Sequence, residues 1–267
     1  MLLQFIILAV AAVLAGAVNS VAGGGTLLTF PSLYAALEVA GGTAAQEPGI
    51  FANGTSTVAL LPGALAAIWG YRDELRSVER WSFILLGPSL LGGFLGVILV
   101  TRLPESVFEG LVPWLILTAS LLFALQPTIA RWTGIGSSRG PASRSMVAGV
   151  VGFQFLVAVY GGYFGAGIGI LMLSALAMMG FSDIHAMNGL KSLLNSCING
   201  VAAIWFIVDG KVVWPLAIVM AVAALVGGYG GARVARRLNR NLVRGIITAI
   251  GFLLAAWYFS RQLTGSY

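Results

Sequence analysis

Apolar residues run through this chain in long blocks separated by short polar breaks. Ten blocks can be marked: 2–19, 24–38, 48–70, 81–101, 107–128, 145–163, 168–181, 184–209, 213–232 and 242–260. A stretch of about 20 apolar residues, rising 1.5 Å per residue as a helix, crosses a hydrocarbon core of about 30 Å. The blocks 24–38 and 168–181 are too short for that. At the same rise each reaches only about 20 Å, so each is expected to be a half-helix or a distorted span. The pattern therefore predicts an all-α membrane protein with about eight full spans.

Charge sets the orientation of the blocks. Lys and Arg collect in connections on the cytoplasmic side of a membrane protein. Arg72, Arg76 and Arg80 follow 48–70; Arg131, Arg139 and Arg144 follow 107–128; Arg233, Arg236, Arg237, Arg240 and Arg244 follow 213–232. All three breaks can be cytoplasmic at once, leaving Arg102, Lys211 and Arg261 outside and Lys191 inside a block. Under that assignment 48–70 runs inward, 81–101 outward and 107–128 inward. The blocks 184–209, 213–232 and 242–260 run outward, inward and outward. The two halves are thus expected to be oppositely oriented, as residues 1–130 and 145–267, joined by a cytoplasmic linker at 131–144.

An internal repeat points the same way. Ala22-Gly23-Gly24-Gly25-Thr26-Leu27-Leu28 aligns with Ala166-Gly167-Ile168-Gly169-Ile170-Leu171-Met172, and Asn53-Gly54 aligns with Asn188-Gly189. Each Asn-Gly is followed by a Gly-x-Ala-Ala-Ile-Trp-like run, Gly63 to Trp69 and Gly200 to Trp205, with a one-residue gap. Two similar halves related by an axis in the membrane plane can rock between inward-open and outward-open states, a recurring transporter design.

Composition narrows the classes further. Of 267 residues, 58% are hydrophobic and 9% charged, against about 25% charged in a soluble domain; lipid is the solvent for most of the surface. The net charge of +6 does not signal nucleic acid, because the basic residues are spread over separate breaks. A single cysteine, Cys197, and a single histidine, His185, exclude an internal disulfide, a His-rich metal cage and a bis-histidine haem. No cofactor or metal is expected. The opening residues, MLLQFIILAVAAVLAGAVNS, lack a positive n-region, and their continuation has a counterpart in mid-chain, so they are expected to stay in the mature protein.

Candidate chemistry gathers at the glycine-rich breaks. Gly23, Gly24 and Gly25 with Thr26, and Gly165, Gly167 and Gly169, weaken the helix at about 1 kcal/mol per glycine. Unwound backbone at membrane depth must be buried in protein or line a polar cavity. The half-helices that follow would aim N-termini, with free N–H groups and partial positive charge, at the centre, where an anion is the natural ligand. The plainer role for any single glycine is close helix packing. Lys191, inside block 184–209, is costly in lipid and expected to face a cavity, although snorkelling to the cytoplasmic interface is within its reach. Asn188, Lys191, Ser192, Asn195 and Asn199 form one polar stripe at helical spacing. The first half offers Asn53, Thr55, Ser56 and Thr57. Asn19 and Tyr163 flank the two breaks. No carboxylate is evidently mid-membrane, which argues against a cation carrier. An enzyme is not expected either, for want of a nucleophile, a carboxylate pair or a metal set.

The tracts AGAVNSVAGGGTLLTFPSL and NGTSTVALLPGALAAIWGYRDEL, with their echoes GGYFGAGIGILMLSAL and NGLKSLLNSCINGVAAIWFIVDGKV, resemble the sulfite exporter TauE/SafE family. The resemblance covers about residues 4–258. It implies a multi-pass permease of the bacterial or archaeal inner membrane, exporting sulfite or a small organosulfonate such as sulfoacetate. By motif position it implies a path lined by Gly23 to Thr26, Asn53 to Thr57, Gly165 to Gly169 and Asn188 to Ser192. The expected partners are a small anion and the bilayer, with a homo-oligomer compatible. Another small anion, or a channel built on the same site, are the alternatives.

Overall fold

The structure is a computed structural model that describes residues 2–21, 24–133, 144–179, 181, 183–235 and 240–264. Gly23 and Arg139 therefore lie outside the described residues, as does most of the linker expected at 131–144. Among the described residues there is no strand. The chain folds as α1 (Leu2–Val21), α2 (Thr26–Ala40), a 3-10 turn (Thr43–Ala45), α3 (Pro48–Gly70), α4 (Arg72–Ser77), α5 (Glu79–Arg102), α6 (Glu105–Thr133), α7 (Arg144–Tyr163), α8 (Ile168–Met178), α9 (Ile184–Val208), α10 (Trp214–Ala235) and α11 (Arg240–Thr264).

Among the described residues six helices are long and apolar enough to cross a membrane: α3, α5, α6, α7, α9 and α11. α1 and α10 are apolar over the shorter stretches Leu3–Asn19 and Trp214–Gly228. α2 and α8 have 15 and 11 residues, the two half-length helices that the short blocks predict. α4 was not anticipated; its RDELRS sequence is polar but for Leu75, and it fully buries no residue. Large apolar side chains point outward all round, Leu91 at 66%, Leu156 at 64%, Ile204 at 64% and Leu253 at 71% exposure. That surface suits hydrocarbon rather than water.

The packing comes in matched sets. α1 packs on α10 and α7 on α5; α3 packs on α10 and α9 on α5; α2 packs between α1 and α3, and α8 between α7 and α9; α3 meets α9, and α6 meets α11. Exchanging α1, α2, α3, α5 and α6 for α7, α8, α9, α10 and α11 reproduces this list. The tightest crossings are made by glycines. On α1 and α10, a side chain at Gly16 would collide with the Ala224 carbonyl, and one at Gly227 with that of Val13. On α5 and α7, one at Gly96 would collide with the Val159 carbonyl, and one at Gly162 with that of Gly93. With little hydrophobic drive between helices in lipid, such backbone approach is the main source of association.

Side-chain contacts fix the direction of each helix. Thr55, near the start of α3, accepts a hydrogen bond from the Val213 N–H just before α10, at 3.0 Å. Arg102 and Asp209, at the ends of α5 and α9, lie 3.9 Å apart. Arg261, near the end of α11, pairs with Glu38 of α2 at 2.9 Å, and Lys211 pairs with Glu47 before α3. All of these mark one end of the bundle, the Lys211 end. At the other, Trp81 at the start of α5 packs edge-on against Phe181, just beyond α8, with centroids 5.8 Å apart. So α2 returns to the Lys211 end and α8 to the Trp81 end.

Candidate functional site

The starts of α2 and α8 meet the same stretch of α6. A side chain at Gly24 would collide with the ring of Phe123. A Cβ at Gly167 would lie 3.5 Å from Leu122 Cδ1 and 3.7 Å from Ala119 Cα. Residues 119–123 form little more than one turn near the middle of the 29-residue α6. The two breaks therefore converge at mid-bundle, with that turn between them, and their helices diverge to opposite ends.

The first break is organised by side-chain oxygens. Asn19 Oδ1 accepts the Gly25 N–H at 3.3 Å. Thr29 donates to the Gly25 carbonyl at 3.2 Å, and its hydroxyl lies 2.6 Å from that of Ser56 on α3. Thr29 and Ser56 are fully buried. Thr26 opens α2. Thr57 returns its hydroxyl to the Asn53 carbonyl at 2.8 Å, and Thr55 holds Val213 as described. These two are therefore structural hydroxyls in this arrangement.

The second break turns on two left-handed residues. Gly165 has φ 82° and Gly167 φ 79°, a region that any side chain would strain. Tyr160 donates its hydroxyl to the Ala166 carbonyl at 2.8 Å. Asn53 reaches across from the first half and donates to the Tyr163 carbonyl at 2.8 Å. That bond satisfies a carbonyl left free where α7 ends. On α9, Asn199 lies near Gly165: a Cβ there would be 3.7 Å from Asn199 Oδ1. Asn199 itself donates to the Asn195 carbonyl at 2.8 Å and to its side-chain oxygen at 3.1 Å.

Lys191 lies beside the first turn of α8. A Cβ at Gly169 would sit 3.2 Å from Lys191 Cδ, so the lysine stem covers that glycine. Its ammonium donates to Asn188 Oδ1 at 3.1 Å, and Asn188 donates to the Ile184 carbonyl at 2.8 Å. Lys191 has no carboxylate within 4 Å. Ser192 is half-buried on the same helix. His185 is exposed at the start of α9, where Asp183 caps its N–H at 2.8 Å. It is remote from the breaks.

Sequence reasoning missed two acidic residues. Glu105 and Glu109 open α6, four residues apart, on the face that buries Phe108 and Val112. Glu105 accepts the Gly49 N–H at 2.7 Å, and Glu109 accepts the Tyr34 hydroxyl at 3.0 Å. The apolar block 107–128 starts two residues beyond Glu105 and takes in Glu109 without singling it out. The i, i+4 spacing of the two, in phase with Phe108 and Val112, was the available signal.

Between the breaks and the Lys211 end lies a layer of aromatic rings. Phe30 of α2 stacks edge-on with Phe164 of the second break at 5.2 Å and with Phe108 at 5.9 Å. Phe108 meets Tyr163 at 5.7 Å. Every one of these rings is at most 8% exposed. No comparable layer closes the Lys191 side among the described rings.

Comparison with known proteins places this arrangement. The family model described as sulfite exporter TauE/SafE matches residues 8–258. A probable membrane transporter protein of Haemophilus influenzae is 27% identical over 241 residues, covering 90% of this chain and 88% of its own. The probable membrane transporter protein YfcA of Escherichia coli K12 is 29% identical over 247 residues, covering 92% and 86%. The probable membrane transporter protein ORF9 of a Sinorhizobium species is 27% identical over 251 residues, covering 92% and 88%. No solved structure matches the chain significantly.

Proposed function

Because the chain belongs to the sulfite exporter TauE/SafE family and is a membrane transporter, we propose that it exports a small sulfur-containing anion, sulfite or an organosulfonate such as sulfoacetate, by alternating access. The observation that carries this reading is the meeting of two helix starts on one turn of α6. Each start directs backbone N–H groups and a partial positive charge inward. Lys191 adds a full charge beside the α8 start, with no carboxylate to neutralise it. An anion between the breaks would meet amide donors on both sides and exchange hydration for them. Gly24, Gly25, Thr26, Gly165, Gly167, Gly169, Asn188, Lys191, Ser192 and Asn195 are the residues assigned to that path.

The two halves act as an inverted repeat in the cytoplasmic membrane, the Lys211 end outside. The matched helix pairings and the opposite returns of α2 and α8 support this. In this arrangement the aromatic layer closes the outer side, and the Lys191 side faces inward. Rocking about the α6 turn would reverse the two. A homo-oligomer is compatible with the exposed apolar faces.

The test is a binding screen of the purified protein against sulfite, sulfate, sulfoacetate, taurine and simple carboxylates, followed by exchange flux in proteoliposomes for each binder. Preference for a sulfur oxyanion with trans-stimulated exchange supports the reading. Preference for carboxylates moves the substrate class, and flux without trans-stimulation makes the protein a channel. Cysteines placed at Arg139 and Lys211 should label from opposite sides; labelling from one side removes the opposed halves.

A further inference from the structure

Near the Lys211 end, Glu105 Oε2, Tyr163 Oη and Asn53 Oδ1 are buried without a hydrogen-bond partner among the described residues. They come from α6, α7 and α3, yet they belong to one neighbourhood. The Glu105 carboxyl sits on the first turn of α3, accepting the Gly49 N–H at 2.7 Å, and Asn53 is one turn further along. Asn53 donates to the Tyr163 carbonyl. The Tyr163 ring rests on Phe108, 5.7 Å between centroids, and a Cβ at Gly49 would lie 2.7 Å from the Phe108 ring. Asn53 is 1% exposed and Tyr163 8%. An ionised carboxylate whose second oxygen is buried without a donor is costly. A protonated one can use that oxygen as a donor.

Among the described residues no cation pairs with the carboxylate. The basic residues of this end are engaged elsewhere: Lys211 with Glu47, Arg102 with Asp209 and Arg261 with Glu38. The titratable groups that act on Glu105 are Glu109 on α6 itself, Glu47 before α3 and Tyr163 at the end of α7; beyond Glu109 lie Tyr34 and Glu38 of α2 and, on α11, Tyr258 and the engaged Arg261. Glu109 and Glu47 oppose a charge on Glu105.

We infer that Glu105 is a proton-binding site of the transporter, and that a proton taken from the aqueous phase at the Lys211 end onto its carboxylate is required for that end to close. The proton bonds to Oε2, which turns the carboxylate into a neutral carboxylic acid. As a neutral acid the group no longer carries a charge that burial penalises. Opening this end to water restores hydration to the oxygen and releases the proton to the same phase. The inference rests on the transporter reading given above.

The test compares wild type with Glu105→Gln, which keeps an N–H and oxygen in place of the neutral carboxyl, by hydrogen–deuterium exchange at matched pH. Matching cancels the intrinsic pH dependence of amide exchange. At acidic pH the two should exchange alike over residues 26–40 and 105–112. At alkaline pH wild type should open these segments about tenfold more often than the variant, as expected when a buried group ionises. Equal exchange at alkaline pH overturns the inference. Should Glu105→Gln not insert, infrared titration replaces it: a protonated-carboxyl band of wild type that shifts in Glu105→Asp supports the site, and an unmoved band overturns it. Exchange flux gives a second arm, falling with alkalinity in wild type and flat in the variant. Failure to find a sulfur substrate leaves the deuterium result intact, so the two readings fail separately.

Discussion

The two helix breaks share a frame and differ in chemistry. Extending the Asn53-Gly54 and Asn188-Gly189 alignment by two residues sets Ser56 against Lys191. In the first half that position is a buried hydroxyl bonded to Thr29, which in turn bonds the Gly25 carbonyl. In the second half it is a lysine lying along Gly169. The first break is covered by the Phe123 ring and capped by Asn19; the second is held open by two left-handed glycines and pinned by Asn53 and Tyr160. The two asparagines also diverge. Asn53 serves the break of the other half, while Asn188 turns to Lys191. Similar packing thus carries one charge, not two, and places it beside the second break alone. Two lysines facing one pocket would repel when it is empty; one lysine with neutral donors opposite avoids that cost.

Substitutions at matched positions break or sharpen this contrast. The largest effect is expected at Gly24→Leu, which cannot fit against Phe123 and should abolish folding or transport. In the second break Gly169→Leu meets only the flexible Lys191 stem and should leave an inserted, impaired protein; size-exclusion yield and flux decide between them. Equal loss in both would mean that the breaks are equivalent. Next, Lys191→Ala should lower exchange flux by about a hundredfold with insertion intact, the scale of a lost charge contact of about 3 kcal/mol. Unchanged flux removes the lysine from the site. Ser56→Lys in the Lys191→Ser background asks whether the charge may sit on either side; partial return of flux says that it may. Asn53→Ala, which frees the Tyr163 carbonyl, should cost about 1 kcal/mol of stability. That is more than Asn188→Ala costs, since Asn188 bonds only within its own helix and to Lys191. Denaturant melts of the two variants measure the difference. Reversal of that order would show that the second half is the one held across the interface.

Much of this was readable from the chain. The apolar blocks became helices because each is long enough to satisfy its own backbone in lipid. The two short blocks became α2 and α8 because glycine runs precede them and no polar cap extends them. Lys191 and the stripe through Asn188, Asn195 and Asn199 lie where helical spacing put them. Three things were hidden, for physical reasons. The turn of α6 between the breaks is Ala119, Leu122 and Phe123, apolar residues that carry no chemical signature. The reach of Asn53 to Tyr163 spans 110 positions, and no local pattern reports a contact at that separation. Glu105 looked like loop because charge at a block edge is normally solvated. Only the fold shows α3 starting over it and its second oxygen enclosed.

The glycine crossings have a consequence for how the protein is made. α1 is locked to α10, and α7 to α5, at distances that admit no side chain. α1 is made well before α10 and therefore waits in the bilayer without its companion, its small-residue face against acyl chains, until α10 arrives. A chain halted at the mid-point would expose Gly16 and the groove of α5 together, as surfaces awaiting strangers. Neither half is a finished object, and assembly is committed only once α10 has been made.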